Sequence, residues 1–153
     1  MKRILIYIGI LTAVLLIPLE RTDVGQLRPV QTVSVYREEN AYVIATDTGD
    51  KGSGKTVADA FNDLKQTTPA VIYLDTAQFL LMGKNADDAV EDLRQYFSNS
   101  VELYSFRGDA DLAVVSKYLS VHGNGPQLKY WESSEKLPVL VCEGEEIRLV
   151  ENS

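Results

Sequence analysis

Residues 49–56 read GDKGSGKT, and the placement of Gly49, Gly54, Lys55 and Thr56 fits the pattern of a phosphate-binding P-loop. In that chemistry a glycine-rich backbone cradles phosphates, the lysine reaches the terminal ones, and the threonine hydroxyl holds magnesium. The apolar run AVIYLD at 70–75 ends in Asp75, the residue type that would hold a magnesium water in such a site. Other candidates are sparser. His122 is the only histidine and Cys142 the only cysteine, so neither has partners at zinc or triad spacing. Asp47, Asp50, Asp87 and Asp88 offer oxygen ligands for calcium, but no D-x-D-x-D-G loop is present.

The glycine stretch has a second reading. Gly49, Gly52 and Gly54 would let a tight turn adopt left-handed conformations, with Thr56 capping a helix and Lys55 exposed. Which reading applies depends on the chain's first residues. After Met-Lys-Arg comes an uncharged apolar run, residues 4–19, closed by Glu20 and Arg21. Two cations before such a run suit a signal peptide or a membrane anchor. Its 16 residues fall just short of the roughly 17 to 25 that span a bilayer. Lys2 and Arg3 place the N-terminus in the cytoplasm and the rest of the chain outside it. The expected localisation is therefore membrane, or secreted if the leader is cut. No small-x-small site follows the run, and no cysteine near it could take a lipid. Nucleoside triphosphate is scarce outside a cell, and Asp47 and Asp50 would oppose a triphosphate at the loop.

Without Lys2 and Arg3 the chain has 13 basic against 22 acidic residues, a balance of −9. Phosphate backbones would be repelled, so nucleic acid is not an expected partner. The 153 residues are enough for one core and hardly for two. The expected division is a leader at 1–21, a linker at 22–29 and a single domain at 30–153.

Within that domain, VQTVSVYR at 30–37 alternates, Val33 and Val35 on one face and Ser34 and Tyr36 on the other. With YVIATDT at 42–48 it predicts a hairpin. Val57, Ala60, Phe61 and Leu64 fall at helical spacing behind a Thr56–Asp59 cap pair. The run 70–75 predicts a central strand covered on both faces, and 77–83 another. A second helix is expected over 85–97, capped by Asn85, with acidic Asp87 and Asp88 in its first turn. A strand at 101–106 and a helix at 110–120, with Leu112, Val115 and Leu119 inward, come next. QLKYW, LPVLVCE and EIRLVE predict short closing strands, Cys142 a buried thiol, His122 a surface loop residue, and Trp131 with Tyr130 aromatic core. The fold class expected is α+β: one mixed sheet with about three helices packed on it.

This succession resembles the N-terminal domain of the spore germination receptor C subunits, the Ger(x)C family. The matching positions are Thr56, Val57, Ala60, residues 80–83 and residues 110–119, within about residues 30–120. The resemblance implies an extracytoplasmic, non-enzymatic module without catalytic residues or cofactor. The function expected is a membrane-anchored domain, held through residues 4–19, that binds another membrane or envelope protein. A nucleotide-binding protein using Gly49, Gly54, Lys55, Thr56 and Asp75 is the alternative.

Overall fold

The computed structural model describes residues 27–132, 136–143 and 146–150. The apolar run at 4–19, on which the membrane expectation rests, lies outside the described residues. The fold is mixed α+β. Strand β1 (Leu27–Pro29) precedes β2 (Thr32–Glu38), β3 (Ala41–Thr46) and β4 (Lys51–Gly54), and helix α1 (Val57–Thr67) follows. Then come β5 (Val71–Tyr73), β6 (Phe79–Met82), a single helical turn α2 (Val90–Leu93), β7 (Glu102–Gly108), helix α3 (Leu112–His122), β8 (Val139–Glu143) and β9 (Glu146–Val150). Seven strands form one sheet in the order β4-β3-β2-β6-β7-β8-β9, and β1 pairs with β5 in a separate two-stranded sheet.

The hairpin forms as its alternation predicts. β2 and β3 run antiparallel with Val35 opposite Ile44 and Ser34 opposite Ala45. From β2 onward, β6, β7 and β8 are parallel to one another and to β2. Helix α1 begins where Thr56 Oγ1 accepts from the Asp59 amide at 3.1 Å, and it turns Val57, Ala60, Phe61 and Leu64 inward. These join Val33, Val35, Ile44, Leu80, Met82, Leu93 and Leu103 in a core on one face of the sheet. Burying each large side chain there contributes about 1.5–3 kcal/mol. On the other face Phe79, Leu81, Tyr104 and Leu140 pack against Val115 and Leu119 of α3. Cys142 is in this second core, where burial pushes its thiol pKa up.

Several expectations change. The run 70–75 is no central strand: β5 has three residues, pairs only with β1, and leaves Val71 and Tyr73 exposed, and residues Leu74–Thr76 make a 3-10 turn. β1 also draws Leu27–Pro29 out of the expected linker and into the fold. The helix over 85–97 shrinks to a 3-10 turn (Asp87–Ala89) and α2. Asn85 cannot cap it, because its backbone is left-handed (φ 58°). Val90, Leu93 and Phe97 are nonetheless buried as the periodicity requires. QLKYW is a turn with one bridge, Glu102 to Gln127, in which Trp131 is buried and Tyr130 exposed. β8 is an inner strand of the sheet, and His122 ends α3 rather than lying in a loop.

Tyr104 ties the second core to the turn after α3. Its hydroxyl donates to Glu102 Oε2 at 2.5 Å and accepts from the Gly125 amide at 2.7 Å. Burial first, then the Glu102 bond, raise its pKa well above the ordinary 10.0. A raised folded-state pKa means the native protein holds this proton when the unfolded chain has released it. The stabilisation is therefore complete below pH 10 and lost as pH rises beyond it. Tyr104→Phe is expected to cost about 2 kcal/mol at pH 7, by leaving the Gly125 amide and Glu102 without this partner. It should also flatten the fall in melting temperature above pH 10, read by thermal scans from pH 8 to 11.5; an unchanged alkaline slope refutes the assignment.

Candidate functional site

The P-loop signature does not fold into a phosphate-cradling loop. Residues Lys51–Gly54 are an edge strand, β4, paired with β3 so that Gly52 faces Ile44 and Gly54 faces Tyr42. Of its glycines only Gly49 has positive φ (86°), in the turn between β3 and β4. Gly52 and Gly54 are there for a different reason. A Cβ on Gly52 would lie 2.4 Å from the Ala60 carbonyl oxygen and the Leu64 nitrogen, and one on Gly54 2.4 Å from the Ala60 nitrogen. Both contacts are to helix backbone, so the glycines let α1 lie directly on the strand. The outward Ser53 amide, a group a phosphate would need, donates to Asp63 Oδ2 at 2.8 Å. Thr56 is occupied as the helix cap, Lys55 is exposed, and Asp75 stands exposed in the 3-10 turn after β5, outside the main sheet.

Three of the four aspartates considered for calcium, Asp47, Asp50 and Asp88, are engaged in other ways. Asp50 pairs with Arg28 at 3.0 Å and accepts from Thr48. Asp88 accepts from the Tyr42 hydroxyl at 2.9 Å, and Tyr42's own pKa is raised, first by burial and then by that bond. Asp47 accepts from the Gln31 amide, while burial pushes its carboxyl pKa up. Among the described residues no three His, Cys, Asp or Glu side chains are placed to hold a metal ion together.

A different site stands out. α3 covers the second face of the sheet over β6, β7 and β8, and beside it lies a crevice of about 1000 Å³. Its floor is Ser34, Tyr36 and Ala45, the face of β2 and β3 opposite the Val33–Val35 core. One end holds Asp47, Gly49 and Lys51 at the β3–β4 turn, and the other Lys84, Asn85 and Asp87 after β6 with residues 105–112 from β7 into α3. The position follows from the topology. From β2 the chain proceeds to β3 and β4 on one side, and from β6 to β7 and β8 on the other. In open sheets such a switch leaves a crevice outside the carboxyl ends of the strands, where ligands bind. Gly83 allows the closeness of that junction: its amide donates to the Val35 carbonyl at 2.8 Å, and a Cβ there would sit 2.6 Å from Tyr36 Cβ.

The crevice sets charged and hydroxyl side chains among apolar surface. Ser34 is only 3% exposed, yet its hydroxyl has no hydrogen-bond partner among the described residues. Lys51, Lys84 and Arg107 line the crevice without forming an ion pair among the described residues, whereas Arg28, Arg37, Arg94 and Arg148 are all paired elsewhere. None of Ser34, Tyr36, Lys84 or Arg107 belongs to a recognisable motif. The one signal in the sequence was the polar alternation of β2, Ser34 and Tyr36 opposite the valines. Comparison with known proteins gives no match to a family model, to a curated protein or to a solved structure.

Proposed function

We propose that the chain is a non-enzymatic binding domain, held at the outer side of a membrane by residues 4–19, whose working surface is the crevice beside α3. The observation that carries this reading is the crevice at the switch between β2 and β6, whose lining cations Lys51, Lys84 and Arg107 form no ion pair among the described residues. The two cations before the apolar run support the orientation. The likeness to germination receptor C subunits supports a partner among membrane or envelope proteins. The closed geometry of 51–54 argues against the nucleotide alternative, since the strand leaves no cradle for a phosphate.

The test is site-specific crosslinking in intact cells with the full chain. A photoreactive residue in place of Tyr36 or Lys84 should capture one discrete partner band, and the same residue in place of Asn62, exposed on α1, should capture none. Equal labelling from all three positions overturns the assignment of the crevice. The nucleotide alternative makes its own demand: ATP with magnesium must raise the melting temperature in proportion to its logarithmic concentration, and Lys55→Ala must abolish that rise. We expect no rise.

A further inference from the structure

Helix α3 begins at the carboxyl end of the crevice and spans 11 residues, Leu112–His122. Ser116, one turn into it, donates to Gln31 Oε1 at 3.1 Å, so the first turn of the helix lies over β2 beside Ser34. The Ala113 amide is capped by Asp111 Oδ1 at 2.9 Å, and the Val114 and Val115 amides turn back to the Asp111 carbonyl. The Leu112 amide, at the crevice wall, meets no such acceptor among the described residues. Helix starts concentrate partial positive charge and free N–H groups, which suits an anion. Here an independent feature points the same way: the Ser34 side chain, 3% exposed, lies on the crevice floor, and its hydroxyl bonds to no described residue. An oxygen acceptor in the crevice can accept a hydrogen bond from that hydroxyl.

The charges narrow the occupant. Four carboxylates line the crevice, but Asp111 is engaged as the helix cap and Asp47 by the Gln31 amide. Asp87 and Asp109 remain, and like Lys51, Lys84 and Arg107 they form no ion pair among the described residues. Four carboxylates against three cations would repel a polyphosphate, whereas a single anionic group can be placed between the cations and the helix start.

We propose that the carboxyl end of the crevice is a subsite for one carboxylate or monophosphate group, held by the Ser34 hydroxyl, the start of α3, Lys84 and Arg107. It deepens the reading of the crevice as the working surface and rests on it. The group belongs to whatever the crevice receives, and Tyr36 and Lys51 lie along the path of the remainder.

The experiment is a titration of the full chain in detergent micelles, followed by amide NMR, with acetate, inorganic phosphate, and sodium chloride at matched ionic strength. Saturable shifts confined to Ser34, Lys84 and residues 107–112 are expected with acetate or phosphate, and the stronger of the two identifies the head group. Arg107→Gln should weaken that binding about tenfold, as should Ser34→Ala, while Lys65→Gln on α1 leaves it unchanged. Arg107 is exposed, so its variant keeps the test valid if Ser34→Ala disturbs the fold. Shifts that never saturate, or that chloride reproduces, overturn the subsite. A crosslinked partner at Tyr36 without saturable anion binding removes the subsite alone, and anion binding without any partner removes only the partner.

Discussion

Gly52→Ala is expected to lower the unfolding free energy by about 3 kcal/mol, near the upper end for an added methyl in a packed interior. The new carbon would fall 2.4 Å from both the Ala60 oxygen and the Leu64 nitrogen, atoms of helix backbone that cannot rotate away. Either α1 lifts from β4 or the strand leaves β3, and both loosen the core at Phe61 and Leu64. Gly49→Ala provides the comparison within the same motif. It has open space around its Cα, so only its left-handed backbone (φ 86°) opposes a side chain, at about 1–2 kcal/mol. Urea unfolding of the two variants side by side measures the difference. If Gly52→Ala is as mild as Gly49→Ala, the close packing of α1 on β4 is wrong. A phosphate-binding role would reverse the pattern, sparing stability while altering nucleotide response.

The second large effect is Phe61→Ala, expected to cost about 4 kcal/mol. Phe61 is 1% exposed and stacks on Tyr96 with ring centroids 4.1 Å apart, while Phe97 meets its edge at 5.9 Å. It thus joins α1 to the segment after α2. Truncation removes the transfer term and leaves a cavity between two elements that cannot both close on it. Chemical denaturation should show the midpoint falling with little change in slope. A double-mutant cycle with Tyr96→Ala should return about 1 kcal/mol of coupling for the stacked pair. A loss below about 1.5 kcal/mol for Phe61→Ala would mean that the core relaxes around the gap, against the close packing described.

The parts of the fold that were legible are those where one face of an element is buried and the other is not. Val33 and Val35 against Ser34 and Tyr36 gave β2 its register, and Val57, Ala60, Phe61 and Leu64 gave α1 its inner stripe. Periodicity failed where another constraint chose the residues. KGSG has none of the branched or aromatic side chains that mark strands, because a helix lies against it and glycine is what fits. VIY looked like a central strand because apolar runs usually are, yet two of its three residues, Val71 and Tyr73, are exposed in a two-stranded sheet. Val90, Leu93 and Phe97 kept their helical spacing although Asn85 begins the segment in a left-handed turn and only one turn of helix forms. The crevice was not legible as a site, since Ser34, Lys84 and Arg107 are brought together only by the parallel pairing of β2, β6 and β7. The P-loop pattern was legible, and its Gly54 lies where α1 packs on β4.

The bond from the Ser53 amide to Asp63 has one more consequence. It fills the outward donor at the middle of β4, and α1 lies across the same strand. That margin of the sheet is therefore sealed against a strand from another molecule. Among the described residues the opposite margin, β9, stays unpaired on its outer side, guarded by the Glu146–Arg148 ion pair. Edge-to-edge association of two copies, in storage or on overexpression, would then begin at β9.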